Sequence, residues 1–231
     1  MTVAIILARC GSKGVVDKNI TQVGSEKLSH IPTLAAVESD IFDKIIYSSD
    51  SEAYLEMARH RFGSKISYHH RTTEAAGDNV SSWSAVEEVV TDMLEEIDHH
   101  ITLLGGSCAT INAQDLYLFE RKCAEASHHG EALSVKRVSY PLENTFLIEK
   151  NRIVKHQLSR KLACRQEAKH IWQPDGHIYK RIISRLGEPF PNIHTLPISL
   201  SKKIYINVDT QEDLLLAQLL MGDSGINRNT F

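Results

Sequence analysis

The stretch that decides the fold runs Val3-Ala4-Ile5-Ile6-Leu7-Ala8, continues as Arg9-Cys10-Gly11-Ser12-Lys13-Gly14, and reaches Lys18-Asn19 four residues later. Its first six residues form a continuous apolar run, which is typical of a strand buried on both faces of a parallel sheet. Open α/β sheets bind ligands outside the carboxyl ends of their strands, and a glycine-rich polar loop follows this strand directly. The stretch therefore predicts an α/β fold with a ligand site just after its first strand.

The rest of the chain alternates strand and helix patterns. Strands are predicted at 43–48, 101–104, 132–138, 178–179 and 204–208, and helices at 51–62, 81–97, 114–126 and 211–221. The clearest helix is 81–97, because Trp83, Val86 and Val89 recur at helical spacing while Glu87 and Glu88 face away. This alternation predicts a three-layer α/β/α sandwich around a mainly parallel, Rossmann-like sheet.

Residues 140–173 interrupt the alternation. Two extended pieces flank a turn there, and a basic polar stretch follows. We predict one domain over residues 1–221 with an inserted arm at about 140–173, and a flexible tail at 222–231. No repeat or break in composition predicts a second domain.

Composition excludes several classes of protein. The 231 residues include 26 Lys and Arg against 29 Asp and Glu, and 42% are hydrophobic, as in ordinary globular proteins. A net charge of −3 offers no basic surface for nucleic acid. The four cysteines are far apart and form no C-x-x-C motif, so we predict neither a disulfide framework nor a zinc site. The first apolar run is too short for a signal peptide or a membrane span. We expect a cytoplasmic protein without nucleic-acid or membrane partners.

The loop after the first strand has two interpretations. Its glycines let backbone N–H groups approach phosphate oxygens, and Arg9, Lys13 and Lys18 supply positive charge, so the loop could hold a polyphosphate. It could also be a glycine turn with solvated lysines. The spacing matches neither a Walker A loop nor the dinucleotide G-x-G-x-x-G motif, and by itself it leaves both interpretations open.

Other residues with metal-binding chemistry are less specific. Asp209 follows the predicted strand 204–208 and precedes a helix, so it could hold Mg²⁺ or cap the helix, and capping is the commoner role at such a position. The histidine pairs 69–70, 99–100 and 128–129 do not predict a metal site, because adjacent side chains point apart.

Five segments in order along nearly the whole chain match the motifs of one family. They are residues 6–19, Tyr47-Ser48-Ser49-Asp50, 71–82, Arg165-Gln166 with 174–179, and Val208-Asp209-Thr210 with Asp213-Leu214. With these motifs the sequence resembles the CMP-sialic acid synthetases, or acylneuraminate cytidylyltransferases, and their nonulosonate relatives. The resemblance implies a sheet of the nucleotide-diphospho-sugar transferase type and a homodimer joined by the arm.

The resemblance also implies an activity. It is the Mg²⁺-dependent transfer of CMP from CTP to the anomeric hydroxyl of a nonulosonic, sialic-acid-like sugar acid, with release of pyrophosphate. The implied catalytic residues are Arg9, Lys18 and Asp209. The implied nucleotide-binding residues are Ala8, Arg9, Gly11, Ser12, Lys13, Gly14, Lys18, Asn19, Arg71, Asp78, Ser81 and Ser82. Gly105, Ser107, Arg165 and Gln166 are implied on the sugar side, and Asp209 with Asn207 at the metal.

The sequence departs from the family at two places. A Gln-Pro-Thr-Ser-Pro-Leu-Arg run is replaced by residues 105–111, which begin Gly105-Gly106, and the Asp-x-Asp metal motif is replaced by Asn207-Val208-Asp209. Asparagine lacks the negative charge of aspartate, so it holds Mg²⁺ more weakly. Two alternatives therefore stay open: a weakened or inactive homologue that binds nucleotide or a partner, and a nucleotidyltransferase with another base or acceptor.

Overall fold

A seven-stranded sheet forms the centre of the computed structural model, which describes residues 1–77, 80–94, 100–127, 130–138, 145, 147–149, 152–154, 171–200 and 204–222. The strands are β1 (Thr2–Leu7), β2 (Gln22–Val23), β3 (Glu26–Lys27), β4 (Lys44–Ser49), β5 (Ser67–His70), β6 (His100–Leu104), β7 (Ala132–Arg137), β8 (Leu147–Glu149), β9 (Arg152–Val154), β10 (Trp172–Ile182) and β11 (Leu196–Ile198). The helices are α1 (His30–Ser39), α2 (Glu52–Phe62), α3 (Ser82–Met93), α4 (Ala113–Glu125) and α5 (Gln211–Met221).

The strand order is β11-β7-β10-β6-β1-β4-β5, and β10 alone of these seven runs antiparallel to its neighbours. Two separate hairpins pair β2 with β3 and β8 with β9. The predicted α/β class with a mainly parallel sheet is confirmed.

Both faces of the sheet are covered, and β1 shows how. Ala4 and Ile6 pack into the larger core with α1, α2, α4 and α5, whereas Val3 and Ile5 pack into the smaller core with α3. All four side chains are fully buried. This two-sided burial explains the unbroken apolar run, and each isoleucine contributes about 1.5–3 kcal/mol by leaving water.

Local capping fixes where two predicted helices begin. The Ser81 hydroxyl accepts a hydrogen bond from the Ser84 backbone N–H at 3.0 Å, which caps α3. Thr210 and Asp213 form a reciprocal capping box at the start of α5. The sequence predicts helix starts at 81 and 211, and the structure has them at Ser82 and Gln211. Among the residues described, no helix is long and apolar enough to cross a bilayer.

Five elements were not predicted from the sequence: α1, β5, β11 and the short strands β2 and β3. The helix α1 is buried on nearly all sides, so it shows no amphipathic period, and Pro32 falls in its first turn, where proline is tolerated.

The prediction of a strand at 204–208 is wrong, because this segment joins none of the sheets. It instead makes an isolated bridge from Asn207 to Cys108. The Val208 N–H donates to the Ser107 carbonyl at 2.9 Å, which ties the segment to the turn after β6.

The predicted boundaries of β10 also need correction. β10 has eleven residues rather than the two predicted at 178–179, and it includes the last two residues of the predicted arm, Trp172 and Gln173. Of the rest of the arm, the structure describes Thr145, Ile171 and the β8–β9 hairpin. Arg165, Gln166, the end of the predicted helix at 95–97 and the tail at 223–231 lie outside the described residues.

Candidate functional site

A cleft of about 630 Å³ opens where β1, β5 and β6 end. Most of the residues that the sequence singled out line it together. They are Arg9, Ser12, Lys13, Gly14, Lys18, Asn19, Arg71, Ser81, Ser82, Gly105, Ser107, Asn207 and Asp209. Ala8 and Gly11 belong to the same loop but do not line the cleft, and Asp78 lies outside the described residues.

The loop after β1 is anchored at several points. The Asn19 amide donates to the Arg9 carbonyl at 2.8 Å, and the Cys10 backbone N–H donates to Asp50 at 2.9 Å. A Cβ atom on Gly14 would lie 2.2 Å from the Asp209 carbonyl oxygen, so a side chain there would separate two walls of the cleft. The glycine therefore permits the loop to touch the segment that carries Asp209.

The lining of this cleft is positively charged. Arg9, Lys13, Lys18 and Arg71 face it, whereas Asp209 is the one acidic residue among the lining residues that the structure describes. The Arg9 guanidinium donates to the Ala76 carbonyl at 3.1 Å, which directs it across the cleft. Such a concentration of positive charge in a concave site favours a polyanionic ligand.

Unpartnered buried polar groups face the same cleft. Ser12 Oγ and the Nε and Nη2 atoms of Arg71 are buried without a hydrogen-bond partner among the described residues. Arg71 is only 3% exposed, and burial lowers the pKa of its guanidinium although Asp50 and Glu88 oppose the shift. Unsatisfied donors in such a place are costly, so they indicate a ligand that brings acceptors.

Both carboxylate oxygens of Asp209 are held by neighbours. Lys18 Nζ lies 2.8 Å from Oδ1, and the Asn207 amide nitrogen donates to Oδ2 at 3.0 Å. The Asn207 amide oxygen in turn accepts from the Ser107 hydroxyl at 2.9 Å. Since Thr210 caps α5, Asp209 does not fill that role, and its side chain is 63% exposed toward the cleft. The exposed carboxylate of Asp209 can therefore still bind a cation from the cleft. Asn207 presents a hydrogen-bond donor to Asp209 rather than a second carboxylate.

The turn after β6 presents backbone to the cleft. A Cβ atom on Gly105 would lie 2.0 Å from the Gly176 carbonyl oxygen, and one on Gly106 would lie 2.3 Å from the Leu7 carbonyl oxygen. Of the predicted sugar-side residues, Gly105 therefore offers only backbone groups. Ser107 already uses its hydroxyl on Asn207.

A second cleft of about 380 Å³ adjoins the first. The two clefts share Gly176, Tyr179, Asn207 and Asp209. Lys136, at the end of β7, is the one cation among the described residues that line the second cleft. Sequence reasoning did not single out Lys136, although the strand-end rule that identified Arg9 applies equally to β7.

Behind the second cleft lies a buried group of polar side chains. Asp175 Oδ1 accepts from the Ser134 hydroxyl at 2.5 Å and lies 3.3 Å from His177 Nδ1. Burial by itself lowers the pKa of His177, but the Cys108 sulfur and the Asp175 carboxylate outweigh it and raise the pKa to about 10. Burial by itself would raise the pKa of Asp175, but the hydrogen bonds to His177 and Ser134 outweigh burial and hold the pKa below its ordinary value. Asp175 Oδ2 is buried and has no partner among the described residues, so it can accept from a ligand in the second cleft.

These features define a class of protein: an α/β protein with a basic cleft suited to polyanions at the carboxyl ends of its parallel strands. Residues 3–113 match the family model described as Cytidylyltransferase. The resemblance stated from the motifs is thereby confirmed, and the chain is an enzyme similar to the cytidylyltransferases.

Named relatives agree with this family. The chain is 26% identical to the pseudaminic acid cytidylyltransferase of Campylobacter jejuni, with 94% of each chain covered. It is 27% identical to the N-acylneuraminate cytidylyltransferase of Streptococcus agalactiae, with 92% of this chain and 51% of that protein covered, so it spans about half the length of the streptococcal relative.

Two solved structures share the fold. One is the CTP complex of a CMP:2-keto-3-deoxy-manno-octonic acid synthetase, with a TM-score of 0.67, 14% identity, and 95% of this chain and 98% of that chain covered. The other is the 2-C-methyl-D-erythritol 4-phosphate cytidylyltransferase of Francisella tularensis, with a TM-score of 0.65, 15% identity, and 94% of this chain and 98% of that chain covered.

Proposed function

We propose that the protein transfers CMP from CTP to the anomeric hydroxyl of a nonulosonic sugar acid and releases pyrophosphate. The relatives named for N-acylneuraminate and pseudaminic acid support this acceptor class. The observation that carries the proposal is the convergence of four cations with the unpartnered buried donors of Ser12 and Arg71 in one cleft. A nucleoside triphosphate would bring negative charge to the cations and hydrogen-bond acceptors to Ser12 Oγ and to Nε and Nη2 of Arg71.

The cleft would receive the nucleotide in one orientation. Arg9, Lys13 and Lys18 would face the phosphates, because they surround the glycine-rich loop after β1. Arg71 and the hydroxyl-bearing start of α3 line the same cleft and would bind the acceptors of the cytosine ring. Catalysis would then come from positioning the phosphates and stabilising their developing charge.

Mg²⁺ is the proposed cofactor, and Asp209 fits it. The ion is usually held by one or two carboxylates together with substrate phosphates, and Asp209 is an exposed carboxylate beside the basic loop. When bound, Mg²⁺ would neutralise charge on the phosphates. Asn207 would position Asp209 by its hydrogen bond, while Lys18 would leave its ion pair with Asp209 and turn toward a phosphate oxygen.

We propose the second cleft as the acceptor site. The two clefts meet at Asp209 and Gly176, so an acceptor there would reach the α-phosphate from the side opposite the glycine-rich loop. Lys136 would bind the acceptor's carboxylate, and Asp175 Oδ2 would accept from a hydroxyl or amide. The acceptor oxygen would then bond to the α-phosphorus as its proton is lost, while the bond to the bridging oxygen breaks and pyrophosphate leaves.

A second candidate function is nucleotide binding without efficient turnover. The specific observation in its favour is the Asn207 amide nitrogen at 3.0 Å from Asp209, where a second carboxylate would give a stronger cation site. Such a protein would bind CTP selectively but release little pyrophosphate with any sugar acid.

Calorimetric titration with CTP, ATP, GTP and UTP, each with Mg²⁺, tests the nucleotide proposal first. We expect selective CTP binding, and its absence at millimolar nucleotide would overturn both candidate functions. Pyrophosphate release is then measured with N-acetylneuraminate, pseudaminic acid and 2-keto-3-deoxy-manno-octonic acid as acceptors. Release with one of them supports the transferase, whereas binding without release supports the second candidate.

The homodimer and the cytoplasmic location remain proposals. Arg165 of the arm would reach the acceptor carboxylate in the neighbouring subunit, which suits the bidentate geometry of arginine. Light scattering at working concentration would show about twice the 26.0 kDa chain mass, and a monomeric mass would contradict this assembly.

A further inference from the structure

Three side chains with metal-binding chemistry meet outside both clefts. They are His69 near the end of β5 and Glu88 and Asp92 on α3. One ligand atom from each lies within 4.8 Å of the other two. Glu88 and Asp92 are four residues apart, so both project from the helix face that meets His69. Two elements thus supply a nitrogen and two carboxylate oxygens to one point.

The His69 ring is held in one orientation. Its side chain is 5% exposed, Nδ1 lies 3.0 Å from Ser48 Oγ, and Nε2 lies 3.1 Å from Asp92 Oδ2. A hydroxyl can donate to Nδ1 or accept from it, so Ser48 is compatible with both neutral tautomers of the ring. Metal-binding histidines are commonly fixed in this way at the nitrogen that does not bind the metal. His69 can therefore present a lone pair on Nε2 without moving.

The spacing and the charge also suit a cation. Zinc binds nitrogen and oxygen ligands at about 2.0–2.2 Å, so two ligands of one ion lie roughly 3 Å apart. The separation of His69 Nε2 from Asp92 Oδ2 already has this value. Two carboxylates and a neutral imidazole carry net negative charge, and the Arg71 guanidinium facing Glu88 from the end of β5 offsets only part of it.

We propose that His69, Glu88 and Asp92 bind a divalent transition-metal ion, with Zn²⁺ the best match to one imidazole and two carboxylates. Asp92 is 53% exposed, so water can reach the ion and complete its coordination. The site differs in chemistry from Asp209, where oxygen ligands and phosphates would suit Mg²⁺.

The ion would act on the nucleotide cleft through Glu88. This carboxylate accepts from the Thr72 backbone N–H at 2.7 Å and from the Thr72 hydroxyl at 2.6 Å. Thr72 follows Arg71, and α3 begins at Ser82, and both Arg71 and Ser82 line the cleft. A bound ion would therefore fix the end of β5, the following loop and α3 together, and we expect it to raise CTP affinity about fivefold. The expected rise in CTP affinity rests on the proposed function, whereas metal binding itself does not.

Metal binding is tested without nucleotide or Mg²⁺. The chelator-treated protein is titrated with Zn²⁺ by calorimetry and with Co²⁺ by visible absorption. We expect one equivalent to bind the wild type, and binding at least about tenfold weaker in Asp92→Asn and His69→Gln. His70→Gln is the matched control, because His70 is the adjacent histidine, is 58% exposed and lies on the other face of β5. It should bind like the wild type.

Several outcomes would overturn the site. They are the absence of stoichiometric binding to the wild type, equal affinity in Asp92→Asn, or weakened binding in His70→Gln. Asp209→Asn locates the ion, since binding lost in that variant would place it in the nucleotide cleft instead. If circular dichroism shows that His69→Gln does not fold, the Asp92→Asn variant tests the site by itself, because Asp92 is exposed. A protein that binds Zn²⁺ but not CTP would retain this proposal and lose the proposed function.

Discussion

Replacing Asn207 by aspartate sets a second carboxylate against Asp209. In the structure the Asn207 amide donates to Asp209 at 3.0 Å. The substitution removes this bond to a charged group, worth about 1.5–3 kcal/mol, and the 63% exposure of Asp209 favours the lower end. It also adds a like charge, which at a water-exposed site costs about 1 kcal/mol. We therefore expect Asn207→Asp to lose about 2–3 kcal/mol of unfolding free energy without divalent cations.

Thermal unfolding in EDTA and in excess Mg²⁺ measures this effect. For a chain of this length the loss corresponds to a Tm about 5–10 °C lower in EDTA. Mg²⁺ should restore the Tm of Asn207→Asp, because the ion would bind both carboxylates. Asn207→Leu is the control, since it removes the amide without adding charge and should not respond to Mg²⁺. A Tm of Asn207→Asp that equals the wild type in EDTA, or that ignores Mg²⁺, would refute the arrangement of Asn207 and Asp209.

Three further predictions address the clefts and the buried pair. Arg71→Met should weaken CTP binding by about tenfold or more in calorimetry, because it removes buried donors that have no acceptor without the ligand. Unchanged affinity would contradict the assignment of Arg71 to the nucleotide. Lys136→Met should raise the KM for the sugar acid while leaving CTP affinity unchanged, and a matching loss of CTP affinity would count against separate clefts. His177 has a folded pKa of about 10 against an ordinary 6.5, so its contribution to stability is complete below pH 6.5 and is lost as pH rises toward 10. Urea unfolding should show the stability difference between wild type and His177→Gln shrinking from pH 6 to pH 10, and a constant difference would exclude the charged pair.

Local signals identified the first strand and the helix starts. The apolar run of β1 could be recognised because both its faces are buried, and Ser81 and Thr210 cap their helices through contacts a few residues away. The other elements depend on distant partners. Helix α1 is buried on nearly all sides, so its sequence has no hydrophobic period. Strand β10 owes its length to pairing with β6 on one side and β7 on the other.

The site divides in the same way. Arg9, Arg71 and Gly105 follow the ends of strands, so the topology of a parallel sheet brings them to one cleft. Arg71 was assigned from the sequence only through the family resemblance, because β5 was not predicted. The direction of the Asn207 amide depends on Ser107, one hundred residues earlier, and could not be deduced from the sequence. The meeting of His69 with α3 required β5, an element that the sequence pattern did not show.

The two departures from the family, at Gly105-Gly106 and at Asn207, belong to one packed arrangement. Gly105 has no room for a side chain, because a Cβ atom there would lie 2.0 Å from the Gly176 carbonyl oxygen. The Asn207 side chain packs against Gly176 in turn, and a Cβ atom on Gly176 would lie 3.2 Å from Asn207 Cγ. Ser107, two residues after Gly105, fixes the Asn207 amide. Gly105→Gln alone should therefore displace Gly176 and lower the Tm, whereas Asn207→Asp alone keeps the backbone and lowers the Tm only through the lost hydrogen bond to Asp209 and the added charge. If Gly105→Gln left the Tm unchanged, the close approach would be wrong and the two departures would be independent.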